Sequence, residues 1–382
     1  MGVFILVAVG GYLAKGVIFT KTFAIYFLIQ SLLSFLLGQI IWKKIEKLKQ
    51  NHMTDKYKEF RRTDTHLWSK GRFIFGVTFL FPFRLIAMTV VVSIYLFLIV
   101  VLTIGHDQSK PLKGIKGFLY RLTNRIFPRL ALLAAGYFRM GYTKKEDYDY
   151  SKWLGKDYKN TQESKRDYAV SSTSNHSAWT DLFIVLIIQR GASFVSKEEI
   201  KSVPLFGRVG KALNTIFFER GSSKENKEKV LSQIQERQKE TDENKGEGLI
   251  LHIFGEGFTT NNSHILPFKK GVFSLGLPVK PIAIKYSSAY FSPAHDIIPM
   301  GLHFIFLLSQ ISNYCEATEL PIFEPNEYLY KNHLKPGEEK WVPFSRAVRE
   351  SIAETLQLPT SEATLSEKLA CKDQYLGKAK AD

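Results

Sequence analysis

Asn175, His176 and Asp181 stand in the run Asn175-His-Ser-Ala-Trp-Thr-Asp181, between a short segment readable as a strand (168–171) and an apolar stretch that starts at Leu182. A loop at the edge of a packed element can bring that imidazole and that carboxylate together. Neutral imidazole takes a proton near pH 7, and a carboxylate on its other nitrogen fixes tautomer and orientation. The pair is therefore a candidate general base. Alone it is weak, because a structural histidine beside a capping aspartate fits the same spacing.

Three further segments carry residue types suited to the same chemistry. Ile216-Phe-Phe-Glu-Arg220-Gly221 puts a guanidinium at the end of an apolar strand, where it can bind a phosphate bidentately. Phe254-Gly-Glu256-Gly257-Phe-Thr259-Thr260-Asn261 follows a hydrophobic strand. A tight loop there offers backbone N–H groups to a phosphate or a developing oxyanion. In Gly276-Leu-Pro278-Val-Lys-Pro281 two prolines flank the start of a buried strand, and a rigid lead-in explains them equally well. No intact Gly-x-Ser-x-Gly elbow is present, since Val272 stands where the first glycine of Val272-Phe-Ser274-Leu-Gly276 belongs.

The elements that must position these residues alternate. Candidate strands fall at 168–171, 192–195, 216–218, 248–253 and 279–286, with helices at 222–241 and 345–356 between and after them. That alternation predicts an α/β domain, a mixed sheet flanked by helices, over 166–325. A linker at 141–165 precedes it, and a C-terminal helix with a polar tail (326–382) follows. Residues 1–140 read as a membrane-anchoring helical region. Runs 22–42 and 85–104 carry no charge, and each is long enough to enter or cross a hydrocarbon core of ~30 Å. The first is expected to be a retained anchor. The second, with basic residues on both flanks, is expected to be re-entrant or interfacial. Pro82 should break its entry, and Arg84 should snorkel to headgroups.

The chain carries a formal charge of +16. Such a surface suits nucleic acid, an anionic bilayer or polyanionic small substrates. No zinc spacing or RNA-binding signature accompanies the basic residues, so no nucleic acid is expected as a partner. Cys315 and Cys371 are too few for a disulfide framework or a metal site, and a reduced, cytosol-facing domain with no metal is expected. Asn175-His-Ser and Asn261-Asn-Ser match the glycosylation pattern, but a glycan there would block the candidate site.

Together, the order and spacing of the four motifs resemble the glycerolipid acyltransferase superfamily, whose members carry Asn-His-(four residues)-Asp, Phe-x-x-Arg, Phe-Pro-Glu-Gly-Thr and Val-Pro-x-x-Pro. Flanks at Phe79-Leu-Phe-Pro-Phe-Arg84 and Phe304-Ile-Phe-Leu-Leu-Ser-Gln310 look most like its lysophosphatidylcholine/lysophosphatidylethanolamine branch. The resemblance implies His176 as general base and Asp181 as its orienting partner. It implies that Arg220, with the Glu256–Gly257 loop, holds the acceptor's glycerol-phosphate part, that Pro278 and Pro281 shape the acyl-donor side, and that Asn175, Thr259 and Thr260 also bind substrate. It further implies acyl-CoA as co-substrate with no bound cofactor, and a lysophospholipid acceptor drawn from membrane lipids. Gly255 and Phe258 depart from the family's proline and threonine, which predicts a looser turn and an altered choice of headgroup. Lys378 and Lys380 resemble a dilysine retrieval signal, implying the endoplasmic reticulum with the catalytic domain cytosolic. Acylation of 1-acylglycerol 3-phosphate or glycerol 3-phosphate is the alternative within the class. A non-catalytic lipid-binding protein on the same scaffold is the alternative outside it.

Overall fold

The computed structural model describes residues 17–50, 57–107, 112–158, 166–202, 210, 213–219, 223–247 and 249–377. Arg220, Lys378 and Lys380 lie outside the described residues.

Both uncharged runs are helical. α1 (Val17–Gln50) is followed by a short helix α2 (Lys70–Phe79) and by α3 (Phe81–Thr103). Pro82 lies in the first turn of α3, where its missing N–H would have had no helical partner, so it starts the helix. Among the described residues, Thr22–Leu48 and Phe81–Thr103 are long and apolar enough to cross a membrane. Arg84 is engaged within the protein. Its guanidinium donates to the carbonyls of Leu308, Gln310 and Ile311, capping the C-terminal end of a helix in the sheet domain, where unsatisfied carbonyls favour a cation. An amphipathic helix, α4 (Gly114–Ala134), then returns along α3, with the Tyr95 hydroxyl donating to Asn124 Oδ1 at 2.7 Å.

The sheet has seven strands: β1 (Tyr137–Lys144), β2 (Ser171–Ser174), β3 (Ala192–Lys197), β4 (Ile216–Phe218), β5 (Ile250–Phe254), β6 (Val279–Ser287) and β7 (Asn313–Glu319). Their spatial order is β1-β7-β6-β2-β5-β3-β4, parallel throughout except between β6 and β7. The expected mixed α/β sheet is therefore present. β1 begins before the expected linker and runs into it. Connecting helices are α5 (Asp181–Gln189), α6 (Lys224–Glu243) and α7 (Met300–Ser309), followed by α8 (Glu327–His333), α9 (Trp341–Leu356) and α10 (Leu365–Tyr375). α10 forms within the tail expected to be merely polar. A Thr364/Glu367 capping box starts it, and it buries Cys371 and Tyr375.

Side chains of β6 alternate between two cores, as strand geometry requires. Ile282, Ile284 and Tyr286 join the cluster that includes α3, α4, α5 and α7, whereas Val279 and Ala283 join the cluster built on α9. β2 lies in the middle of this sheet, and all four of its side chains are buried although all are polar. Each hydroxyl is satisfied: Ser171 by Gln238, Ser172 by His252, Thr173 by the Ile253 carbonyl, and Ser174 by the Asn175 carbonyl.

Candidate active site

His176 lies two residues past the C-terminal end of β2, and Asp181 opens α5. The four-residue gap is the loop that turns the imidazole back toward the helix start. His176 Nδ1 is 2.9 Å from Asp181 Oδ2. That oxygen also accepts the backbone N–H groups of Ser177 at 2.8 Å and Ala178 at 2.9 Å. Oδ1 accepts the Tyr286 hydroxyl at 2.5 Å, and Thr180 Oγ1 lies 2.8 Å from the same hydroxyl. Both oxygens of this fully buried carboxyl group, at a helix N-terminus, are thus taken up as acceptors. With Nδ1 facing it, the imidazole proton belongs on Nδ1, and Nε2 is the basic nitrogen. The His176 side chain is 21% exposed, and Nε2 makes no hydrogen bond among the described residues. One ring face stacks on Phe254, centroids 4.0 Å apart.

The Phe254–Asn261 loop supports this ring from beneath. Glu256 is fully buried, and both its oxygens accept backbone N–H groups, from His176 at 2.6 Å and Leu266 at 2.9 Å. Burial pushes this carboxyl up to about 8, while those two bonds and the nearby Lys368 ammonium pull the other way. Gly257, at φ +74°, closes the turn with its N–H on the Phe254 carbonyl at 3.0 Å. That dihedral favours glycine. The N–H groups of Gly255 and Thr260 donate to the Ser174 and His176 carbonyls. These three amides serve the fold, not the open anion cradle expected of this loop. The departure at Gly255 has a steric reason, since a Cβ there would meet the Phe268 ring at 2.5 Å. Phe258, the other departure, is buried beside Phe60. The turn is braced by packing, not loosened.

Of the residues expected to touch substrate, Asn175, Glu256 and Thr260 are buried and bonded within the protein. Asn175 brackets β2 to β6, giving and accepting 2.8 Å bonds with the Ile284 carbonyl and N–H. Thr260 Oγ1 accepts the Asn262 N–H. Thr259 accepts two bonds from Lys368 Nζ on α10, at its carbonyl (2.6 Å) and its hydroxyl (2.9 Å). Pro278 sits level with Val170, whose N–H it accepts. That level lies just before the start of β2, at the opposite end of the strand from His176. Pro281 pairs with Thr173 within the ladder and is buried. The structure thus brings His176, Asp181, Glu256 and Gly257 together and leaves the prolines apart.

Tyr286, His295 and Lys368, which the motifs did not single out, bond Asp181, Ser177 and Thr259 respectively. His295 donates its N–H to the Ser177 carbonyl at 2.7 Å, and burial, with Lys368 nearby, holds its imidazole down at about 4. Tyr286 was within reach of sequence reading. It shares strand parity with Ile282 and Ile284, so its hydroxyl had to point into the core and find a partner.

Residues 157–285 match the family described as Acyltransferase. The chain is 33% identical over 210 residues to the lysophospholipid acyltransferase LPEAT1 of Arabidopsis thaliana, covering 54% of this chain and 49% of the relative. It is 30% identical over 197 residues to a lysophosphatidylcholine acyltransferase of Drosophila melanogaster, covering 49% of this chain and 33% of the relative. It therefore spans half or less of the length of these relatives. A solved chain, the 1-acyl-sn-glycerophosphate (LPA) acyltransferase PlsC of Thermotoga maritima, overlaps 72% of this chain and 96% of its own at 17% identity. Its TM-score of 0.37 is too low to bear on the acceptor.

Proposed function

We propose, from the match of residues 157–285 to the family described as Acyltransferase, that the chain transfers an acyl group from acyl-CoA to the free hydroxyl of a lysophospholipid. The acceptor is of the lysophosphatidylcholine or lysophosphatidylethanolamine type. The observation that carries the reading is the His176 imidazole, anchored through Nδ1 on Asp181 with Nε2 left open. In this mechanism Nε2 takes the hydroxyl proton as the oxygen attacks the thioester carbonyl. The new C–O ester bond forms, the C–S bond breaks, and the proton passes to the departing CoA thiolate. Asp181, oriented by Tyr286, Ser177 and Ala178, stabilises the imidazolium. Arg220 is the proposed phosphate ligand on the strength of its motif alone.

The acceptor reaches the site from a bilayer. α3 exposes Ile86, Val90, Ile94, Phe97 and Val101 along one stripe, while α4 exposes Ile115, Phe118, Leu119, Leu122, Ile126 and Leu130. The opposite face of α4 buries Tyr120, Asn124 and Ala131, and exposed Arg121 and Arg125 flank the apolar stripe. Apolar outward faces beside arginines suit the boundary of an anionic leaflet. The proposed location is the endoplasmic reticulum membrane, with the sheet domain on the cytosolic side.

The test uses the full chain in nanodiscs, one labelled acyl-CoA, and a panel of lysophosphatidylcholine, lysophosphatidylethanolamine, lysophosphatidic acid and glycerol 3-phosphate. Labelled diacyl product with equimolar CoA from the first two supports the reading. Turnover confined to the last two reassigns the acceptor. No acceptor-dependent CoA release from any of them refutes acyl transfer.

A further inference from the structure

Two backbone hydrogen bonds hold the peptide that carries the candidate base. Thr260 N–H donates to the His176 carbonyl at 3.0 Å, and His295 N–H donates to the Ser177 carbonyl at 2.7 Å. These donors belong to loops far apart in sequence. Both loops are fastened, one residue away from the donor, to the same short segment that follows α1.

On one side, Asn261 adjoins Thr260. Its Nδ2 donates to the carbonyls of Lys58 at 2.7 Å and Arg61 at 2.9 Å, and its backbone N–H donates to the Glu59 carbonyl at 3.2 Å. On the other side, Arg62 reaches the residue before His295, donating from Nη1 to the Ala294 carbonyl at 2.8 Å. Its Nη2 donates to the Ser292 carbonyl at 3.0 Å. The same guanidinium forms a fork with Asp64, at 2.8 and 2.6 Å, and lies 3.2 Å from Asp296. Asp64 in turn accepts the Ser292 N–H and the Trp68 indole. The Arg62 side chain is 1% exposed and sits over the Phe291 ring. A buried guanidinium with this many fixed acceptors tolerates little displacement, because losing any one acceptor strands a desolvated charge or carbonyl.

We infer that Asn261 and Arg62 are positioning residues for His176, and that residues 57–68 are a brace joining the lipid-facing helix α1 to the catalytic loop. Neither side chain touches the imidazole. Asn261 sets the loop that ends in Thr260 N–H, Arg62 sets the loop that ends in His295 N–H, and the two bonds together fix the successive 176–177 and 177–178 peptides. Leu48 near the end of α1 packs on the same cluster as Phe60, Phe258 and Tyr375, which seats the brace. The anchor is thus part of the device that aims the base. This inference rests on the reading of His176 as that base.

The experiment compares Asn261→Ala, Arg62→Lys, Ser361→Ala and His176→Ala, each as the full chain in nanodiscs with acyl-CoA and lysophosphatidylcholine. Ser361→Ala is the control for bracing alone, because the Ser361 hydroxyl bonds Glu59 of the same segment at 2.6 Å without adjoining either donor. A displacement near 1 Å at a reacting group costs on the order of 100-fold in rate. Asn261→Ala is expected to lower kcat by about 10- to 100-fold per folded molecule, with both KM values within about twofold. Ser361→Ala should lower the melting temperature at unchanged kcat. Arg62→Lys should fall with Asn261→Ala if it folds, and Asn261→Ala decides alone if it does not. Wild-type kcat in Asn261→Ala, or equal kcat losses in Asn261→Ala and Ser361→Ala, would overturn the inference. Activity surviving in His176→Ala would instead overturn the underlying reading.

Discussion

His176 and His252 both lay their rings against Phe254, one stacked at 4.0 Å and the other edge-on at 4.8 Å, yet they occupy opposite chemical situations. His252 is fully buried in the β2–β5 ladder, with Nδ1 2.9 Å from the Ser172 hydroxyl and Nε2 3.2 Å from the Ser174 hydroxyl. Burial holds it down at about 3, so it stays neutral and both of its nitrogens serve the fold. His176, just past the strand end, has a carboxylate on one nitrogen and nothing on the other among the described residues. The same side chain becomes a structural bolt or a candidate base according to where the strand stops. What separates the two is the partner set and the open nitrogen, not the residue type.

The sharpest way to break the comparison is to remove the feature that only His176 has. Asp181→Asn leaves an acceptor for Ser177 and Ala178 but offers an amide to Nδ1, favouring the wrong tautomer. Acyl transfer should drop by about 10³- to 10⁴-fold in kcat, with the fold intact by circular dichroism. His252→Asn should do the reverse. Two buried serine hydroxyls lose partners beside a small cavity, so stability should fall by about 2–4 kcal/mol in a denaturation series, while kcat per folded molecule stays within about threefold. Tyr286→Phe removes one donor from Asp181 Oδ1 and should lower kcat by about 10-fold without changing either KM. The smallest effect is in the pH dependence. His252 and His295 are held at about 3 and about 4 against an ordinary 6.5. The native state therefore binds fewer protons than the unfolded chain between about pH 4 and 6.5, and stability falls as pH drops through that window. Glu256, raised from 4.5 to about 8, acts oppositely, losing stability as pH rises between those values. Melting temperature should peak near neutrality, and His252→Asn should reduce the acid slope by about one proton, ~1.4 kcal/mol per pH unit.

Much of the frame was legible from residue pattern. β3, β4, β5 and β6 begin within two residues of their expected positions, because apolar runs bounded by glycine or charge mark them. β2 was misplaced by three residues. Its side chains are hydroxyls, and what makes Ser171–Ser174 a central strand is the set of partners on β5 and α6, which no local pattern records. β1 and β7 were missed for related reasons. β1 is a largely exposed edge strand, and β7 alternates correctly but places Asn313 and Glu319 on its buried side. In the site, the pairing of His176 with Asp181 was legible from the four motifs taken together, and not from that spacing alone. The motifs could not show that both oxygens of Glu256 would be taken by backbone amides, nor that Pro278 would lie at the far end of its neighbour strand. Those placements depend on sheet register.

The central claim is that His176 Nε2 removes the acceptor's proton. Its most direct test is labelled acyl-CoA turnover with lysophosphatidylcholine by the His176→Ala full chain in nanodiscs, alongside the wild type at equal membrane-bound protein. The account predicts at least about 10³-fold less diacyl product with membrane association unchanged. Turnover within tenfold of wild type would contradict it.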